Sequence, residues 1–390
     1  MDQAPGVPEA DEATGRPAAP PGAETIGGAP ARARRTPLQR AAGYAWWTVR
    51  FLLAMFLFVG ALQLMKEGAA GLSVLSHDGL ARNAGATLGL GWIGALFVLS
   101  GSPIAASALT LVKADTITEV EGFTMLTGSR LGAAFVVLLV AVIAALRSGE
   151  GKRMAPVSTA VMALSTTALI YVPGAILAFF LLKSEPFHSL ELQFPAQFGD
   201  LIDFVYGDLL TLVESWSAPL LFLGGLAVLL VAFKLIDSVV PELGDEAIES
   251  SRLSWLRRKW PMFGLGCLVA LIAMSVSGAL TVLVPLVAKG YVKREDILPY
   301  IMGANITTLG DTLLAAFLLH SPAAVRIVLA GIAGTTIVSV IVLAFFYPQV
   351  RRGIWRFQRQ MVKNRTRLAA FTAGLFVVPL AIVGISVGVG

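Results

Sequence analysis

Small hydroxyl side chains interrupt two apolar segments of this chain in a similar way. The first break is Ser100-Gly101-Ser102-Pro103, and the second is Ser275-Val276-Ser277-Gly278. Serine hydroxyls at membrane depth are costly unless they line a site or bond back to their own helix. A helix broken at that depth exposes backbone N–H groups that bind anions, and its freed carbonyls suit a dehydrated sodium ion. The predicted anion ligands are therefore Ser100, Ser102, Ser275 and Ser277. The alternative is that these small residues only allow close helix packing.

A second polar break follows each serine break further along the chain. These breaks are Thr127-Gly128-Ser129-Arg130 and Gly303-Ala304-Asn305-Ile306-Thr307-Thr308, and Asp311 lies just beyond the second. We predict that the serines, the arginine and the asparagine bind the anion and that the threonines and the acid bind a cation. The anion set adds Ser129, Arg130 and Asn305 to the serines, and the cation set is Thr127, Thr307, Thr308 and Asp311.

Arg130 admits two interpretations. An arginine inside an apolar span is expensive, and it is usually paired or faces water. Its planar guanidinium is suited to hold an oxyanion through two hydrogen bonds. It is equally suited to a structural ion pair, for which Asp311 is the obvious partner. Both interpretations stay open from the sequence, and Asp311 is also a candidate proton carrier.

The composition indicates a membrane protein with several spans. Of 390 residues, 56% are apolar and 14% are charged, and the mean hydropathy is +0.76. The net charge of +5 does not indicate a nucleic-acid partner, because the basic residues fall in loops between apolar segments, as in positive cytoplasmic loops. The single cysteine, Cys267, and three histidines without an HExxH pair argue against a metal enzyme, so we predict no enzymatic activity and no cofactor.

Seven apolar segments are long enough to cross a bilayer. They cover residues 44–65, 121–146, 157–182, 216–240, 297–319, 323–347 and 368–389. Segments 85–112 and 262–288 are broken by the serines into halves too short to cross alone. We predict re-entrant helical hairpins there. The distribution of Arg and Lys then places the N-terminus in the cytoplasm of a multi-pass protein of the cell membrane.

These elements predict an all-α polytopic fold made of two inverted repeats plus an extra C-terminal span. Residues 1–40 read as a disordered cytoplasmic tail, and 183–215 as an extracellular acidic loop. Repeat one covers 41–182 with its hairpin, and repeat two covers 216–347. Residues 348–390 comprise a basic cytoplasmic loop and the last span. Its segment 349–367 combines cations with apolar residues, and we predict that it lies on anionic membrane lipid.

Three stretches of the second repeat resemble the type II sodium–phosphate cotransporter family. They are Met274-Ser275-Val276-Ser277-Gly278, Val284–Gly290 and Leu298–Thr308, and in the first repeat Leu64–Gly68 and the serine break are similar in outline. That family carries a Gln-Ser-Ser-Ser signature in each inverted half, followed by a Gly-Ala-Asn-Ile-Gly-Thr-like stretch. The resemblance covers roughly residues 51–347. It implies a fold with two hairpins and sodium-coupled phosphate uptake.

The chain departs from that signature at several positions. Leu99 and Met274 stand at the glutamine positions, and Gly101 and Val276 stand at the middle serines. Arg130 stands where the second repeat has Ile306. We therefore predict a secondary transporter that carries phosphate or a similar anion and is coupled to sodium. Such a transporter could assemble as a homo-oligomer. The alternative is a scaffold or regulatory membrane protein that has lost transport, and a membrane enzyme ranks third.

Overall fold

The computed structural model describes residues 37–72, 79–147, 154–189, 196–239, 258–273, 279 and 296–388. The chain divides into two units. Within the first unit, Met1–Trp47, the described residues are the helical ones from 37 to 47. The second unit, Thr48–Gly390, holds the structure discussed below.

Every regular element within the described ranges is a helix. In chain order the α-helices are α1 (Pro37–Ala69), α2 (Ala84–Val98), α3 (Ser102–Lys113), α4 (Glu119–Arg147), α5 (Met154–Leu182), α6 (Glu185–His188), α7 (Ala196–Thr211), α8 (Ala218–Val239), α9 (Lys259–Ala273), α10 (Leu298–Thr307), α11 (Gly310–Leu318), α12 (Pro322–Ile341), α13 (Tyr347–Lys363) and α14 (Arg365–Gly388). A π-helical segment, Val342–Phe346, joins α12 to α13.

Seven helical stretches of the described chain are long and apolar enough to cross a membrane, so the chain is an all-α polytopic membrane protein. They are Ala45–Ala69, Glu119–Leu139, Val157–Leu182, Ala218–Ser238, Leu298–Leu318, Pro322–Lys363 and Thr366–Gly388. Each overlaps one of the spans predicted from the sequence. The sixth was predicted to end at 347, but the helix continues through α13. Two shorter apolar helices, Ala84–Val98 and Lys259–Ile272, lie at the start of the predicted hairpins.

Helix α2 runs parallel to α4 at very close range. A Cβ on Gly128 would lie 1.9 Å from the carbonyl oxygen of Leu88, and one on Gly132 would lie 2.4 Å from that of Trp92. The later residue of α4 contacts the later residue of α2, so the two helices run in the same direction. Backbones approach this closely only where side chains are absent, as is common between helices in lipid.

Helix α3 runs back along α4 in the opposite direction. A Cβ on Gly101 would lie 2.8 Å from the carbonyl oxygen of Ser129, and one on Gly122 would lie 2.2 Å from the side chain of Val112. The reversal between α2 and α3 takes place at Leu99, whose φ of 56° is left-handed. A leucine in that conformation is strained, and the surrounding packing must hold it there.

Helices α9 and α10 repeat two of the contacts between α2 and α4. In both pairs a glycine of each helix lies against the backbone of the other. The corresponding contacts are Gly91 on Met125 with Gly266 on Tyr300, and Gly128 on Leu88 with Gly303 on Phe263. The second set is the first with every residue number raised by the same amount.

Helices α1 and α8 also cross at two glycines. A Cβ on Gly68 would lie 2.4 Å from the amide nitrogen of Phe222, and one on Gly225 would lie 2.9 Å from the amide nitrogen of Met65. Each helix therefore places a glycine on the backbone of the other. Elsewhere α5 meets α12 where a Cβ on Gly334 would lie 2.3 Å from the carbonyl oxygen of Gly174.

Side-chain hydrogen bonds attach α7 to α1 and α14 to α2. The Tyr206 hydroxyl of α7 donates to the carbonyl of Phe56 at 2.8 Å, and the two rings stack. Partial burial raises the pKa of Tyr206, which further favours the protonated phenol that donates this bond. The side-chain amide of Asn83 caps α2 and donates to the carbonyl of Ser386 at 3.0 Å, which ties α14 to the start of α2.

Replacing Gly128 by alanine tests the close packing of α2 on α4. Its new methyl would overlap the Leu88 carbonyl, and we expect a loss of about 1–3 kcal/mol of unfolding free energy. Thermal unfolding in detergent measures the effect. The control is Gly264→Ala on α9, where nothing lies within 4 Å of the new methyl. An unchanged melting temperature for Gly128→Ala would contradict the packing described above.

Candidate functional site

A buried ion pair joins α4 to α11. The Arg130 side chain is 4% exposed and the Asp311 side chain 1%, and Nη2 of the arginine lies 3.2 Å from Oδ1 of the acid. The same Nη2 donates to Thr312 Oγ1, which in turn donates to Asp311 Oδ1 at 2.8 Å. The arginine also reaches Ser102 on α3, with Nη1 at 3.4 Å from its Oγ. Three helices therefore meet at one guanidinium.

This ion pair is not fully satisfied. Among the described residues, Arg130 Nε and Asp311 Oδ2 are buried without a hydrogen-bond partner. A buried charged group that lacks a partner is expensive, because it has lost its water without a replacement. One donor and one acceptor are therefore left over in a charged, buried cluster. The donor, Arg130 Nε, is suited to bond to an oxygen of an anion. The acceptor, Asp311 Oδ2, is suited to bind a cation or a proton.

The local helix ends stabilise Asp311 and add the positive end of a helix dipole beside Arg130. Asp311 lies in the first turn of α11, where the helix dipole favours a carboxylate. Ser102 is the first residue of α3, so it brings a hydroxyl and a helix N-terminus to the arginine. The sequence places both helix starts there, with Gly101 directly before α3 and Gly310 directly before Asp311.

The predicted span 297–319 is interrupted beside this pair. Instead of one continuous helix, α10 ends at Thr307 and α11 begins at Gly310. The Asn305 carbonyl, which would accept the next helical bond, instead accepts the Tyr171 hydroxyl at 2.6 Å and the Thr308 hydroxyl at 3.1 Å. Side chains that take a backbone carbonyl in this way are a known cause of helix breaks.

A small cavity of about 20 Å³ lies against the arginine. It is lined by Arg130, Ala133, Ala134, Val137, Ala163, Thr167, Tyr171, Ile301, Ala304, Asn305 and Thr308. This volume accommodates about one water or one dehydrated ion. An anion with several oxygens therefore needs the surrounding helices to separate before it can enter.

The structure brings part of the predicted ligand set together. Ser102, Arg130 and Asp311 are in contact, and Asn305 and Thr308 line the adjoining cavity. Asn305 also donates from Nδ2 to Thr167 Oγ1 at 2.9 Å.

Other members of the predicted set bond to their own helix. The hydroxyls of Ser129, Thr127 and Thr307 donate to backbone carbonyls three or four residues earlier, at 2.7, 2.9 and 3.3 Å. Ser100 lies half-buried in the turn between α2 and α3. Ser275 and Ser277 lie outside the described residues.

Three residues of the site were not predicted from the sequence. Thr312 adjoins Asp311, and its position next to a buried acid was the available signal. Thr167 and Tyr171 lie on one face of α5 at a spacing of four residues. A polar pair at this spacing inside an apolar span was the signal for them in the sequence. In addition, Asp237 on α8 lies within electrostatic range of Asp311.

Comparison of the chain with protein-family models, with curated proteins and with solved structures finds no match. The geometry of the site therefore carries the argument about function.

A double-mutant cycle tests the ion pair. Arg130→Gln or Asp311→Asn alone leaves one buried charge without its partner, and we expect a loss of about 3–5 kcal/mol from each. The double variant removes both charges, so its loss should be well below the sum of the two. Thermal or denaturant unfolding in detergent measures all four proteins. Additive losses would mean that the two side chains do not interact in the folded protein.

Proposed function

We propose that this protein is a secondary transporter of an inorganic anion that works by alternating access around the Arg130–Asp311 pair. Sodium-coupled phosphate transport is the first candidate, because the serine breaks and the Leu298–Thr308 stretch resemble the phosphate cotransporters. The observation that carries the proposal is the incomplete ion pair. Its unpartnered Arg130 Nε and Asp311 Oδ2 offer one donor and one acceptor inside a buried cluster.

Charge balance makes this site suited to coupled transport. The Arg130–Asp311 pair is neutral as a unit, and it is almost wholly buried. An anion that takes the guanidinium away from Asp311 leaves a net negative charge in the site, which is expensive in an apolar interior. A cation or a proton on Asp311 restores neutrality. The anion is therefore expected to enter together with a cation, as a symporter requires.

The repeated glycine contacts support two structural repeats. The same pattern of glycines against backbone recurs in α2–α4 and α9–α10 with a constant shift in residue number. That shift aligns Gly128 with Gly303, and it therefore aligns Arg130 with Asn305 rather than with Ile306 as the sequence comparison had it. In this proposal, equivalent positions of the two repeats supply the cavity's arginine and its amide.

The course of α2 and α3 supports a re-entrant hairpin. Helix α2 follows α4 in parallel and α3 returns antiparallel to it, so both ends of the pair lie near the Glu119 end of α4. The reversal at Leu99 lies beside the middle of α4, and the α3 N-terminus faces Arg130 there. Non-helical backbone at this depth is tolerated where protein or a cavity surrounds it. The second hairpin, 262–288, continues into residues outside the described ranges.

Each polar residue has a proposed role in this scheme. Arg130, with Ser102, holds the anion, and Asn305 contributes its amide from the opposite wall. Asp311 carries the coupling cation, assisted by Thr308. Tyr171 keeps the break between α10 and α11 open by occupying the Asn305 carbonyl. Because the cavity holds about one water, transport requires the repeat cores to move apart around it.

The proposed sidedness and partners follow from charge. Exposed cations line α13, and we place this helix and the N-terminus on the cytoplasmic side of the cell membrane, with α13 on anionic lipid. Phosphate or a similar anion and sodium are the proposed solutes, and a homo-oligomer remains part of the proposal.

A transport-inactive scaffold is the second candidate. Leu99, Met274, Gly101 and Val276 replace polar positions of the resembled signature. In addition, the direct Arg130–Asp311 contact fills the place that a solute would take. A protein retained for its structure alone would keep such a pair closed.

Uptake into proteoliposomes separates the two candidates. We expect labelled phosphate to accumulate when sodium is higher outside, and not when the gradient is absent. Arg130→Gln should lower the initial rate at least about 30-fold, since a buried charged contact to the anion is lost. The control is Arg326→Gln, which removes an arginine that pairs with Glu119 at the edge of α12. Its rate should stay close to that of the unmodified protein.

Two results would overturn the proposal. If none of phosphate, sulfate and arsenate is taken up, and neither phosphate nor sodium raises the melting temperature, the scaffold is the better description. If uptake is present and Arg130→Gln transports at the normal rate, the anion binds elsewhere.

A further inference from the structure

The small cavity beside Arg130 extends away from the ion pair along α4, α5 and α10. At its far end the wall is apolar and consists of Val137, Ala163 and Ile301. Helix α4 runs toward this end, whereas α5 and α10 begin on its side of the protein. The far end is therefore one of the two directions from which a solute can approach Arg130.

Helix α13 lies against this far end. Its Ile354 is buried in one hydrophobic cluster with Ala163 and Ile301, and Val137 and Val350 pack against the same cluster. The three apolar side chains at the far end thus belong to, or border, a cluster that includes α13. The helix therefore closes the cavity on the side of the membrane where α13 lies.

The same helix joins the two predicted repeats. Phe357 and Met361 of α13 pack on a cluster formed by α2, α4 and α5 of the first repeat. Near the start of α13, Arg351 Nη2 lies 3.4 Å from Oδ1 of Asp296, two residues before α10 of the second repeat. The repeats therefore cannot move apart on this side until α13 separates from one of them.

The start of α13 is built as a hinge. In a π-helix each carbonyl accepts from the N–H five residues later, and for Leu343 that residue is Pro348, which has no N–H. The carbonyl of the buried Leu343 instead accepts a hydrogen bond from Lys259 Nζ at 2.5 Å. Helices bend where a bond of the backbone ladder is missing. Lys259 is the first residue of α9, so it ties the bending point to the second repeat.

The contacts that hold α13 in place can be given up at low cost. An apolar cavity of about 400 Å³ lies between α13 and the α4–α5 pair, with Val350, Gly353 and Phe357 in its α13 wall. A helix that borders a cavity makes fewer van der Waals contacts than one in a close-packed core, so fewer are lost when it shifts. The Arg351 and Asp296 side chains are 34% and 18% exposed, so water can replace their bond when it opens.

We propose that α13 is a strap that closes the Arg130 cavity on one side of the membrane and opens it by turning about the π segment. The Arg351–Asp296 pair and the bond from Lys259 to the Leu343 carbonyl hold the strap closed. This inference rests on the proposed transport function, because alternating access needs an element that closes each of its two routes. It assigns the route on the proposed cytoplasmic side to α13. Arg351 and Lys259 act as positioning residues, since they hold a helix rather than the solute.

Cysteine labelling tests the closure without any transport. In the full-length protein with Cys267→Ala, the change Ala163→Cys places a thiol at the far end of the cavity. A charged methanethiosulfonate reagent in detergent solution then labels that thiol only when water reaches it. Arg351→Gln should raise the labelling rate about 5-fold, which corresponds to about 1 kcal/mol for a partly buried ion pair. The control, Arg356→Gln, removes the same charge from the exposed face of α13 and should leave the rate unchanged.

A cross-link tests the strap during transport. Asp296→Cys with Arg351→Cys, in the same Cys267→Ala protein, is joined by a bifunctional methanethiosulfonate long enough to span the former ion pair. We expect sodium-driven phosphate uptake into proteoliposomes to fall at least about 10-fold after cross-linking and to return on reduction, because the strap can no longer open. The control, Arg352→Cys with Arg356→Cys, joins two exposed positions within α13 and should leave uptake unchanged.

The two experiments separate the strap from the transport function. Equal labelling rates for Arg351→Gln and Arg356→Gln would overturn the strap whether or not the protein transports anything. If Arg351→Gln does not fold, Lys259→Gln removes the other bond and carries the same expectation. Full uptake after the cross-link to Asp296→Cys would overturn the strap and leave the transport function in place. If the protein takes up no anion before cross-linking, the transport function is wrong and the labelling rates alone decide whether α13 closes the cavity.

Discussion

A guanidinium and a carboxylate in contact within an apolar interior constrain everything around them. Arg130 and Asp311 come from distant parts of the chain, and neither can be buried without the other. Their contact holds α4 against α11 and draws the start of α3 to the same point through Ser102. The helices therefore cannot slide independently in this region without separating the charges. Stability and movement of this part of the protein depend on the same bond.

Glycine supplies the close packing that this arrangement needs. Lipid tails are as apolar as the helices, so burial alone does not hold membrane helices together. Where α2 meets α4 and α9 meets α10, glycines place backbone directly on backbone. Such contacts are geometrically exacting, because a single added methyl would collide with a carbonyl. They give the α2–α4 pair and the α9–α10 pair similar backbone contacts despite their different polar residues.

Much of the fold could be predicted from the sequence, because apolar length and composition determine which segments cross a bilayer. The seven predicted spans each overlap a described helix, and the Arg130–Asp311 contact was one of two open alternatives. The break between α10 and α11 could not be predicted, since it depends on the Tyr171 hydroxyl reaching a carbonyl far away in the sequence. The threonines and serines also look alike in sequence. The hydroxyls of Thr127 and Thr308 both donate to a backbone carbonyl three or four residues earlier, and tertiary packing places only Thr308 of these two in the cavity wall.

The π-helical segment Val342–Phe346 has a consequence for how α13 is oriented. A π turn contains more residues than an α turn, so it shifts the rotational phase of all that follows. One residue corresponds to a rotation of about 100° in an α-helix. In α13, Ile354 and Gln358 turn inward while Arg352 and Arg356 turn outward. The wider turn of this π segment therefore contributes to the angle between the buried side of α12 and the buried side of α13.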